Sequence, residues 1–467
     1  METFALRLSH SAQEPMYRQL YRYIIGEIAS GALAAGERLP SKRRLAGDLA
    51  VSVSTVETAY QMLAAEGYVT AKPKSGFTVC RIERLRIPAR PAPAVTPAPP
   101  APHWQYDFGT GSVDTSLFPF KTWARIERET VTAHPEFLNH GPRQGDDALR
   151  AAIVKYLHAY RGVVCVPEQV VVGAGIEYLT AILARLFADR TFAVEDPGYA
   201  RTARILRNNG VRAVYVPVDE QGMQLKALAQ SGASLAYVTP SHQFPTGATM
   251  PVARRTALLR WADEGDGRYV IEDDYDSEFR YDSRPIPSLQ GLDDQNRVIY
   301  LSTFSRSIAP AMRIAYMVLP TPVLKRYRAE YDVYSSTVSR FEQQTLARFL
   351  SEGHFSRHLN RLRAVYRSRR DALRGALTDA LGPGRVTIYG ARAGLHLVAA
   401  IHGPYTEQEL TRDAAEAGVH VHGLSEYFMT PSPPPHPPAV VLGYSNMDES
   451  DLRAAAALLG RAWEVRG

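Results

Sequence analysis

The chain has 467 residues, of which 54 are Lys or Arg, 48 are Asp or Glu, and 45% are hydrophobic. This balance is typical of a folded globular protein with two or three domains, and it excludes a chain that is disordered throughout. No segment approaches the roughly 18 consecutive apolar residues of a membrane helix, and the first residues lack the apolar run of a secretory signal. With only Cys80 and Cys165, a disulfide framework and a zinc cluster are excluded, and we expect a cytoplasmic protein.

The positive charge is concentrated near the N-terminus. Residues 1–90 contain 13 Lys and Arg against 8 Asp and Glu, whereas the remaining residues contain 41 against 40. This asymmetry is typical of a small module that contacts phosphates, joined to a large electroneutral domain. Residues 87–105 are rich in Pro and Ala, which favours an extended linker over a packed core. We therefore predict domains at 1–86 and 106–467, with a linker at 87–105.

The first domain has the pattern of a helix, a helix-turn-helix and a hairpin. Apolar residues recur at helical spacing from Tyr17 to Gly31, Ser41 and Ser52 precede two further helices as N-caps, and residues 68–79 alternate as a wing. A winged helix-turn-helix is the predicted structure. Side chains suited to bases and phosphates lie at its third helix, the preceding helix and the wing: Lys42, Arg43, Arg44, Ser52, Ser54, Thr55, Lys72, Lys74, Ser75 and Gly76. A helical docking module with a solvated basic face is the alternative.

This domain resembles the GntR-type winged helix. The resemblance rests on residues 39–46 (LPSKRRLA), 51–56 (VSVSTV), 59–60 (AY), 63–68 (LAAEGY) and 75–79 (SGFTV). It implies that Arg43 contacts DNA and that Thr55 lies on the recognition helix. Val53 departs from the family pattern, which usually has Arg or another polar residue at that position.

The second domain alternates strands and helices, which predicts an α/β/α domain with a largely parallel sheet. Towards the end of the chain, a long helical stretch and short strands predict a small α+β subdomain at approximately 330–467. Three predicted strand ends point to a small anionic ligand: 171–175 (VVGAG), 271–276 (IEDDYD) and the segment with Thr303, Ser305 and Arg313. Because no His or Cys is close to the acids in sequence, we predict no metal site.

From about residue 106 to the C-terminus, the chain resembles the fold-type I aminotransferase domain of the MocR regulators. The resemblance rests on motifs such as 195–199 (EDPGY), 239–247 (TPSHQFPTG) and 302–305 (STFS), and on the order of winged helix, linker and aminotransferase-like domain. It implies that Asp273 pairs with the pyridine nitrogen of pyridoxal 5'-phosphate, that Tyr275 lies near the ring O3′, and that Tyr199 covers the ring. The further pocket residues it implies are Gly175, Ile176, Thr303, Ser305 and Arg313 for the phosphate, Arg201 for an effector carboxylate, and His242.

The family motif has Lys directly after Thr-Phe-Ser, but this chain has Arg306. A Schiff base requires a neutral amine, whereas a guanidinium is protonated at all relevant pH values. We therefore predict no catalytic residues and no transaminase cycle. Three interpretations of Arg306 stay open. In the first, the site still holds pyridoxal phosphate, but only noncovalently. In the second, Arg306 binds the anionic group of another carboxylate or phosphate effector, and in the third it is a structural cation paired with Asp273 or Asp274 in a vestigial pocket.

These observations together predict a DNA-binding transcriptional regulator of the MocR type that senses a small molecule. We expect a homodimer formed through the aminotransferase-like domain, whose winged helices bind the half-sites of a double-stranded DNA operator. No membrane partner is expected. The alternatives are an active pyridoxal phosphate-dependent aminotransferase with an attached DNA-binding module, and a ligand-independent DNA-binding protein with a vestigial sensor domain.

Overall fold

The computed structural model describes residue 8 and residues 14–72, 76–81, 103–281, 286–431 and 435–464. The chain forms two compact units, residues 1–100 and 101–467. Most of the predicted linker and two predicted wing residues, Lys74 and Ser75, lie outside the described residues. None of the helices in the described ranges is long and apolar enough to cross a membrane.

The first unit is a winged helix-turn-helix, as the sequence predicts. Its helices and strands are α1 (Met16–Ser30), α2 (Lys42–Asp48), α3 (Val53–Ala65), β1 (Val69–Lys72) and β2 (Gly76–Val79). The side chains of Ser41 and Ser52 accept hydrogen bonds from backbone N–H groups in the first turns of α2 and α3, which satisfies donors that have no partner inside the helix. The strands pair antiparallel, and apolar side chains from all five elements form one buried core.

The second unit has a large sheet covered on both faces and a smaller C-terminal sheet. Its helices are α4 (Phe120–Ala133), α5 (Asp147–Arg161), α6 (Ile176–Leu186), α7 (Ala200–Asn208), α8 (Leu225–Gln230), α9 (Val252–Asp263), α10 (Thr321–Tyr331), α11 (Arg340–Ser351), α12 (His354–Leu381), α13 (Glu407–Glu416) and α14 (Glu449–Ala462). Its strands are β3 (Tyr106–Asp107), β4 (Val170–Gly173), β5 (Thr191–Asp196), β6 (Arg212–Asp219), β7 (Gly222–Met223), β8 (Leu235–Val238), β9 (Tyr269–Asp274), β10 (Val298–Thr303), β11 (Ala315–Val318), β12 (Val386–Tyr389), β13 (His396–Ile401), β14 (Val419–His420), β15 (His422–Gly423) and β16 (Ala439–Gly443).

The large sheet has the strand order β4-β11-β10-β9-β8-β5-β6-β7. Strands β10, β9, β8, β5 and β6 are parallel neighbours, whereas β11 runs antiparallel to β10 and β4. Side chains alternate between the faces along each strand: Val171 packs with α6 and α10, whereas Val170 and Val172 pack with α5 and α11. The predicted α/β/α arrangement with a mixed sheet is confirmed.

The C-terminal subdomain is built on the sheet β12-β13-β16-β15, with α12 and α14 packed against it. Its core also includes Phe108 and Leu117, and β3 pairs in parallel with β14. Residues close to 106 are therefore part of this core although the predicted range was 330–467. In addition, α11 and the start of α12 pack on the large sheet through Phe349 and Phe355.

Candidate functional site

The candidate ligand pocket lies at the carboxyl edge of the large sheet. Because β5, β8, β9 and β10 are parallel, their carboxyl ends meet at one edge, where open α/β sheets bind their ligands. These ends bring together Glu195, Thr239, Asp273 and Thr303, which are far apart in sequence. All four side chains are more than nine-tenths buried.

Asp273 lies at the end of β9, where one of its carboxylate oxygens accepts a hydrogen bond and the other has no hydrogen-bond partner. The Tyr237 hydroxyl donates to Asp273 Oδ2 at 2.6 Å, whereas Asp273 Oδ1 is buried without a hydrogen-bond partner. Burial raises the pKa of this carboxyl to about 7, and the charges of Asp274 and Asp276 add to the increase while the Tyr237 hydrogen bond opposes it. A buried, half-satisfied carboxylate of this kind favours a cationic or N–H-donating partner.

Tyr275 belongs to a hydrogen-bonded network with two histidines. His242 Nδ1 lies 3.1 Å from the Tyr275 hydroxyl and 2.9 Å from Asp276 Oδ2, and the rings of His242 and His396 are 4.8 Å apart. Burial lowers the pKa of His396 to about 3, so its ring is neutral at physiological pH. This network fixes the orientation of the Tyr275 phenol.

The same network contains three side chains of metal-ligand type, His242, Asp276 and His396, with ligand atoms within 4.8 Å of one another. The sequence analysis found no histidine beside the acids, because these residues come from three distant segments. Each histidine already has a hydrogen-bond partner: His242 Nε2 lies 3.3 Å from the Gly390 carbonyl, and His396 Nε2 lies 3.0 Å from the Pro245 carbonyl. The observed contacts account for the cluster as a structural network.

An aromatic wall borders the pocket. Phe244 lies edge-on to Tyr199 at 5.7 Å, to Tyr275 at 6.2 Å and to Tyr427 at 5.1 Å between ring centroids. Tyr199 is 44% exposed, and the Arg201 guanidinium lies 5.5 Å from its ring centroid. An exposed aromatic ring such as that of Tyr199 suits contact with a flat or a cationic ligand.

Arg306 lies in the turn that follows β10, and its side chain is partly buried. Its Nη1 atom is buried without a hydrogen-bond partner. Burial raises the pKa of Tyr199 and Tyr275, and the positive charge of Arg306 opposes both increases, so this side chain lies within electrostatic range of the pocket. Within the described part of the chain, Arg306 forms no ion pair with Asp273 or Asp274, so the pairing expected of a structural cation is not observed there.

Several donors of the predicted phosphate cup are engaged inside the protein. Arg313 Nη2 lies 2.5 Å from Glu177 Oε2, and Arg201 Nη1 lies 3.1 Å from Glu177 Oε1. The Gly175 N–H donates to the Gly173 carbonyl at 2.8 Å, and the Ser305 N–H donates to Thr303 Oγ1 at 3.1 Å. Despite partial desolvation, these two arginines lower the pKa of Glu177, so an anion already occupies the guanidinium side of the cup.

Sequence reasoning missed three charged residues that shape the site. Glu177 follows the glycine turn but lacks any local signal that it would pair with Arg313. Glu195 is the penultimate residue of β5, where its Oε2 accepts from the Thr239 hydroxyl at 2.6 Å while its Oε1 is buried without a partner. Arg161, at the end of α5, pairs with Asp274 at 2.7 Å between Nε and Oδ2, and both side chains are almost fully buried.

The predicted DNA-contacting residues lie on the first unit. Exposed side chains among the described ones are Arg43, Arg44, Ser52, Ser54 and Lys72, together with the exposed Gly76. Lys42 and Thr55 are half-buried.

Two contacts affect the charges near these candidate residues. Lys42 Nζ lies 2.5 Å from Glu57 Oε1, so its charge is partly neutralised. The guanidinium of Arg38, which the sequence analysis did not select, lies beside Gly76 at the base of the wing, where a Cβ would be 3.3 Å from Arg38 Nε.

Comparison with known proteins gives the same two-part organisation. Residues 16–79 match the family described as Bacterial regulatory proteins, gntR family, and residues 105–459 match Aminotransferase class I and II. The protein named uncharacterized HTH-type transcriptional regulator YdeL of Bacillus subtilis is 40% identical, covering 98% of this chain and 99% of its own. The probable rhizopine catabolism regulatory protein MocR of Rhizobium meliloti is 36% identical, with coverage of 96% and 94%.

A regulator of pyridoxine biosynthesis and solved aminotransferases are also similar. The HTH-type pyridoxine biosynthesis transcriptional regulator PdxR of Corynebacterium glutamicum is 34% identical over 95% of both chains. The structure of the α-aminoadipate aminotransferase LysN of Thermus thermophilus, in complex with N-(5'-phosphopyridoxyl)-L-leucine, matches with a TM-score of 0.65 and 27% identity over 76% of this chain and 91% of that chain. An archaeal alanine:glyoxylate aminotransferase, at a TM-score of 0.69 and 23% identity over 78% and 91%, shows the same fold.

A gntR-family winged helix followed by an aminotransferase class I and II domain defines a class of HTH-type transcriptional regulators. The chain belongs to the MocR-type members of this class. Its predicted family, fold class and role as a DNA-binding transcriptional regulator are confirmed. The regulator names of its relatives indicate a non-enzymatic role.

Proposed function

We propose that the aminotransferase-like domain of this regulator is a ligand sensor that carries out no transamination. The observation that carries the proposal is Arg306, which stands where the motif requires an amine nucleophile and whose Nη1 is buried without a partner. A guanidinium stays protonated and cannot form the covalent link that a lysine forms, but it binds carboxylates and phosphates well. Arg306 therefore favours noncovalent binding of an anionic group over a covalent reaction.

The pocket fits pyridoxal phosphate only in part. On the ring side, Asp273 Oδ1 is open and would accept from a protonated pyridine nitrogen, and Tyr275 is held in place by His242. When bound, this cofactor supplies an electron-withdrawing ring. On the phosphate side, Arg313 is paired with Glu177, and the motif position of the lysine is taken by Arg306. Noncovalent pyridoxal phosphate is a candidate ligand, supported on the ring side by Asp273 and by the orientation of Tyr275.

We further propose that the protein is a cytoplasmic homodimer, assembled through the aminotransferase-like domain, whose two winged helices bind the half-sites of one operator. Dimeric binding fixes the distance between the half-sites. A ligand alters operator binding only if it prefers one arrangement of the winged helices, because equal affinity for both arrangements shifts nothing. The predicted linker at 87–105 would couple ligand binding in the aminotransferase-like domain to operator binding by the winged helix.

A transamination assay tests the absence of turnover. Purified full-length protein is incubated with pyridoxal phosphate, an amino donor and a keto acid, and the new keto acid is measured by mass spectrometry. We expect no product above the protein-free blank. Product formed by the wild-type protein at an enzyme-like rate would overturn the proposal, and the Arg306→Lys variant is the comparison because it restores the amine at this position.

A DNA-binding measurement tests the predicted interface. The operator is a fragment selected from random duplexes by the full-length protein, and affinity is measured by fluorescence anisotropy. Arg43→Ala should weaken binding by about 1–3 kcal/mol if the guanidinium contacts a base, or by a smaller, sequence-independent amount if it contacts a phosphate. Arg22→Ala removes the same charge from an exposed position on α1 and is the matched control. Equal losses in the two variants would refute the proposed DNA-binding face.

A further inference from the structure

Two histidines lie side by side in the C-terminal subdomain. His420 ends β14 and His422 begins β15, with Val421 between them. Because side chains alternate along an extended backbone, the two imidazoles share one face while Val421 packs into the core. The ring centroids of the histidines are 4.6 Å apart, and their side chains are 29% and 31% exposed, so an ion from solvent can reach both.

A carboxylate contacts the Nδ1 atom of each imidazole. His420 Nδ1 lies 2.7 Å from Asp107 Oδ1, and His422 Nδ1 lies 2.8 Å from Glu426 Oε2. Since an ionised carboxylate only accepts hydrogen bonds, Nδ1 donates in both pairs, and the lone pair of each neutral ring is on Nε2. Histidines that bind metal ions commonly have such a carboxylate, which fixes the tautomer and the ring orientation and raises the basicity of the metal-binding nitrogen.

Both carboxylates are themselves held by backbone groups. The Gly109 N–H donates to the carboxylate partner of His420 at 2.8 Å. The Gly423 N–H donates to the carboxylate partner of His422, also at 2.8 Å. In addition, Trp104 stacks on the His420 ring, with 5.1 Å between the ring centroids and 9° between the planes. The two imidazoles are therefore oriented before a ligand binds, which lowers the entropic cost of binding.

The Nε2 atoms distinguish this pair from the buried histidine network. In the ranges that the structure describes, neither the His420 nor the His422 Nε2 atom makes a hydrogen bond. In the buried network, by contrast, the Nε2 atoms of His242 and His396 lie 3.3 Å and 3.0 Å from backbone carbonyls. Within those ranges, the pair on β14 and β15 therefore presents two nitrogen ligands without competing hydrogen bonds.

The spacing of the two rings fits one metal ion. A zinc–nitrogen bond is about 2.0–2.1 Å long, so the centre of a bound imidazole lies roughly 3 Å from the ion, and two such rings in a tetrahedral site have centres about 5 Å apart. The observed separation of 4.6 Å is close to this value. Imidazole nitrogen suits zinc, copper and nickel ions, and the negative charges of Asp107 and Glu426 favour a cation.

We propose that His420 and His422 together bind one divalent transition metal ion, Zn²⁺, Cu²⁺ or Ni²⁺, through their Nε2 atoms. Two protein ligands leave the remaining coordination positions to water or to a small molecule. The prediction of no metal site considered the acids at 271–276, whereas this site is built from residues of β3, β14, β15 and the turn that follows. The proposal goes beyond the sensor function and does not depend on it.

Zinc titration of the full-length protein, without an affinity tag, tests the site. The protein is treated with EDTA, exchanged into metal-free buffer and titrated with zinc chloride by calorimetry. We expect the wild-type protein to bind zinc, His420→Gln and His422→Gln each to weaken binding by at least about 10-fold, and the double variant to lose this binding. No zinc binding by the wild-type protein, or equal affinity in the wild type and the double variant, would overturn the proposal.

Two further variants separate metal ligation from general effects of surface histidines. Glu426→Gln keeps an acceptor for the Gly423 N–H but removes the charge beside His422, and it should weaken zinc binding about 10- to 100-fold. His134→Gln is the matched control, because His134 Nδ1 has the same kind of partner, Glu136 Oε1, at 2.8 Å. Zinc affinity should be unchanged in this variant, and a loss as large as that in the His420 and His422 variants would refute the site.

Electron paramagnetic resonance of bound Cu²⁺ reports the ligands directly. The one-to-one copper complex of the wild-type protein should show coupling to two imidazole nitrogens, and the complexes of His420→Gln and His422→Gln should each show coupling to one. Thermal unfolding of the metal-free variants checks that the fold is intact. The same coupling pattern in the wild type and in both variants would show that copper binds elsewhere, which would overturn the assignment.

Discussion

Asp273→Asn should change how the stability of the aminotransferase-like domain depends on pH. Burial raises the pKa of this carboxyl from its ordinary value of 3.8 to about 7. Between these two values, the folded protein holds a proton that the unfolded chain has lost. The contribution to stability is therefore fully present below the ordinary pKa and is lost as the pH rises through about 7.

The magnitude follows from the size of the shift. One pKa unit corresponds to about 1.36 kcal/mol, so a shift of about three units limits the contribution of Asp273 to about 4 kcal/mol. The charged groups that act on it are Asp274, Asp276 and Glu177, which all raise its pKa, and Tyr237, whose hydrogen bond lowers it. An asparagine preserves the acceptor for Tyr237 and removes the titration.

The assay is denaturant unfolding of full-length protein between about pH 5 and about pH 8, where this titration falls. Burial also raises the pKa of Glu195, Glu272 and Glu278 to about 7, so the wild-type protein should lose stability over this range through several groups. The informative quantity is the difference in unfolding free energy between wild type and variant. This difference should shift in favour of the variant by a few kcal/mol as the pH rises.

A pH-independent difference would refute the reasoning. It would mean that Asp273 stays ionised in the folded protein at all these pH values, so that its open oxygen is solvated or paired. Asp266→Asn, at an exposed acid in the loop before β9, is the control for the loss of one carboxyl and should show no such trend.

Three further predictions concern other parts of the molecule. Lys72→Gln should reduce the slope of log affinity against log salt concentration for the operator by about 1, and an unchanged slope would exclude a phosphate contact. Ser52→Ala removes the N-cap of α3 and should lower the stability of the winged helix by about 1 kcal/mol in thermal unfolding, whereas an unchanged stability would show that water replaces the cap. Arg161→Met leaves the buried Asp274 without its ion-pair partner and should cost about 3–5 kcal/mol in denaturant unfolding, and a far smaller loss would refute a stabilising role for this ion pair.

Local signals in the sequence predicted the elements that depend on neighbouring residues. Ser41 and Ser52 cap helices because a cap requires only the following turn, and β8 is a short apolar run bounded by residues that favour turns. Strand β11, in contrast, was not predicted, although it lies in the apolar run 314–319 (IAYMVL), which is of the same kind as that of β8. Its antiparallel pairing with both β10 and β4 is a property of the sheet, which the apolar run alone does not specify.

The residues of the site also divide into those with a local sequence signal and those that depend on tertiary contacts. The positions of Asp273 and Arg306 follow from motifs at strand ends. The partners that decide what these groups can bind come from far along the chain: Glu177 and Arg313 are separated by 136 residues, and Arg161 and Asp274 by 113. The strand ends of the candidate pocket and the replacement of the lysine can thus be read from the sequence, whereas the pairing of Glu177 with Arg313 depends on tertiary contacts.

Binding of a cationic ligand group should lower the pKa of Asp273, which burial raises. An ammonium group prefers the ionised carboxylate, so binding lowers the pKa of Asp273 and releases a proton. The affinity for a ligand whose cationic group contacts Asp273 should therefore increase as the pH rises from about 6 to about 8, by at most about tenfold per pH unit for each proton released. Calorimetry in two buffers of different ionisation enthalpy measures the released proton directly. An affinity that is constant or falls over this range would show that the cationic group does not bind at this carboxylate, and Asp273→Asn should flatten the dependence if it does.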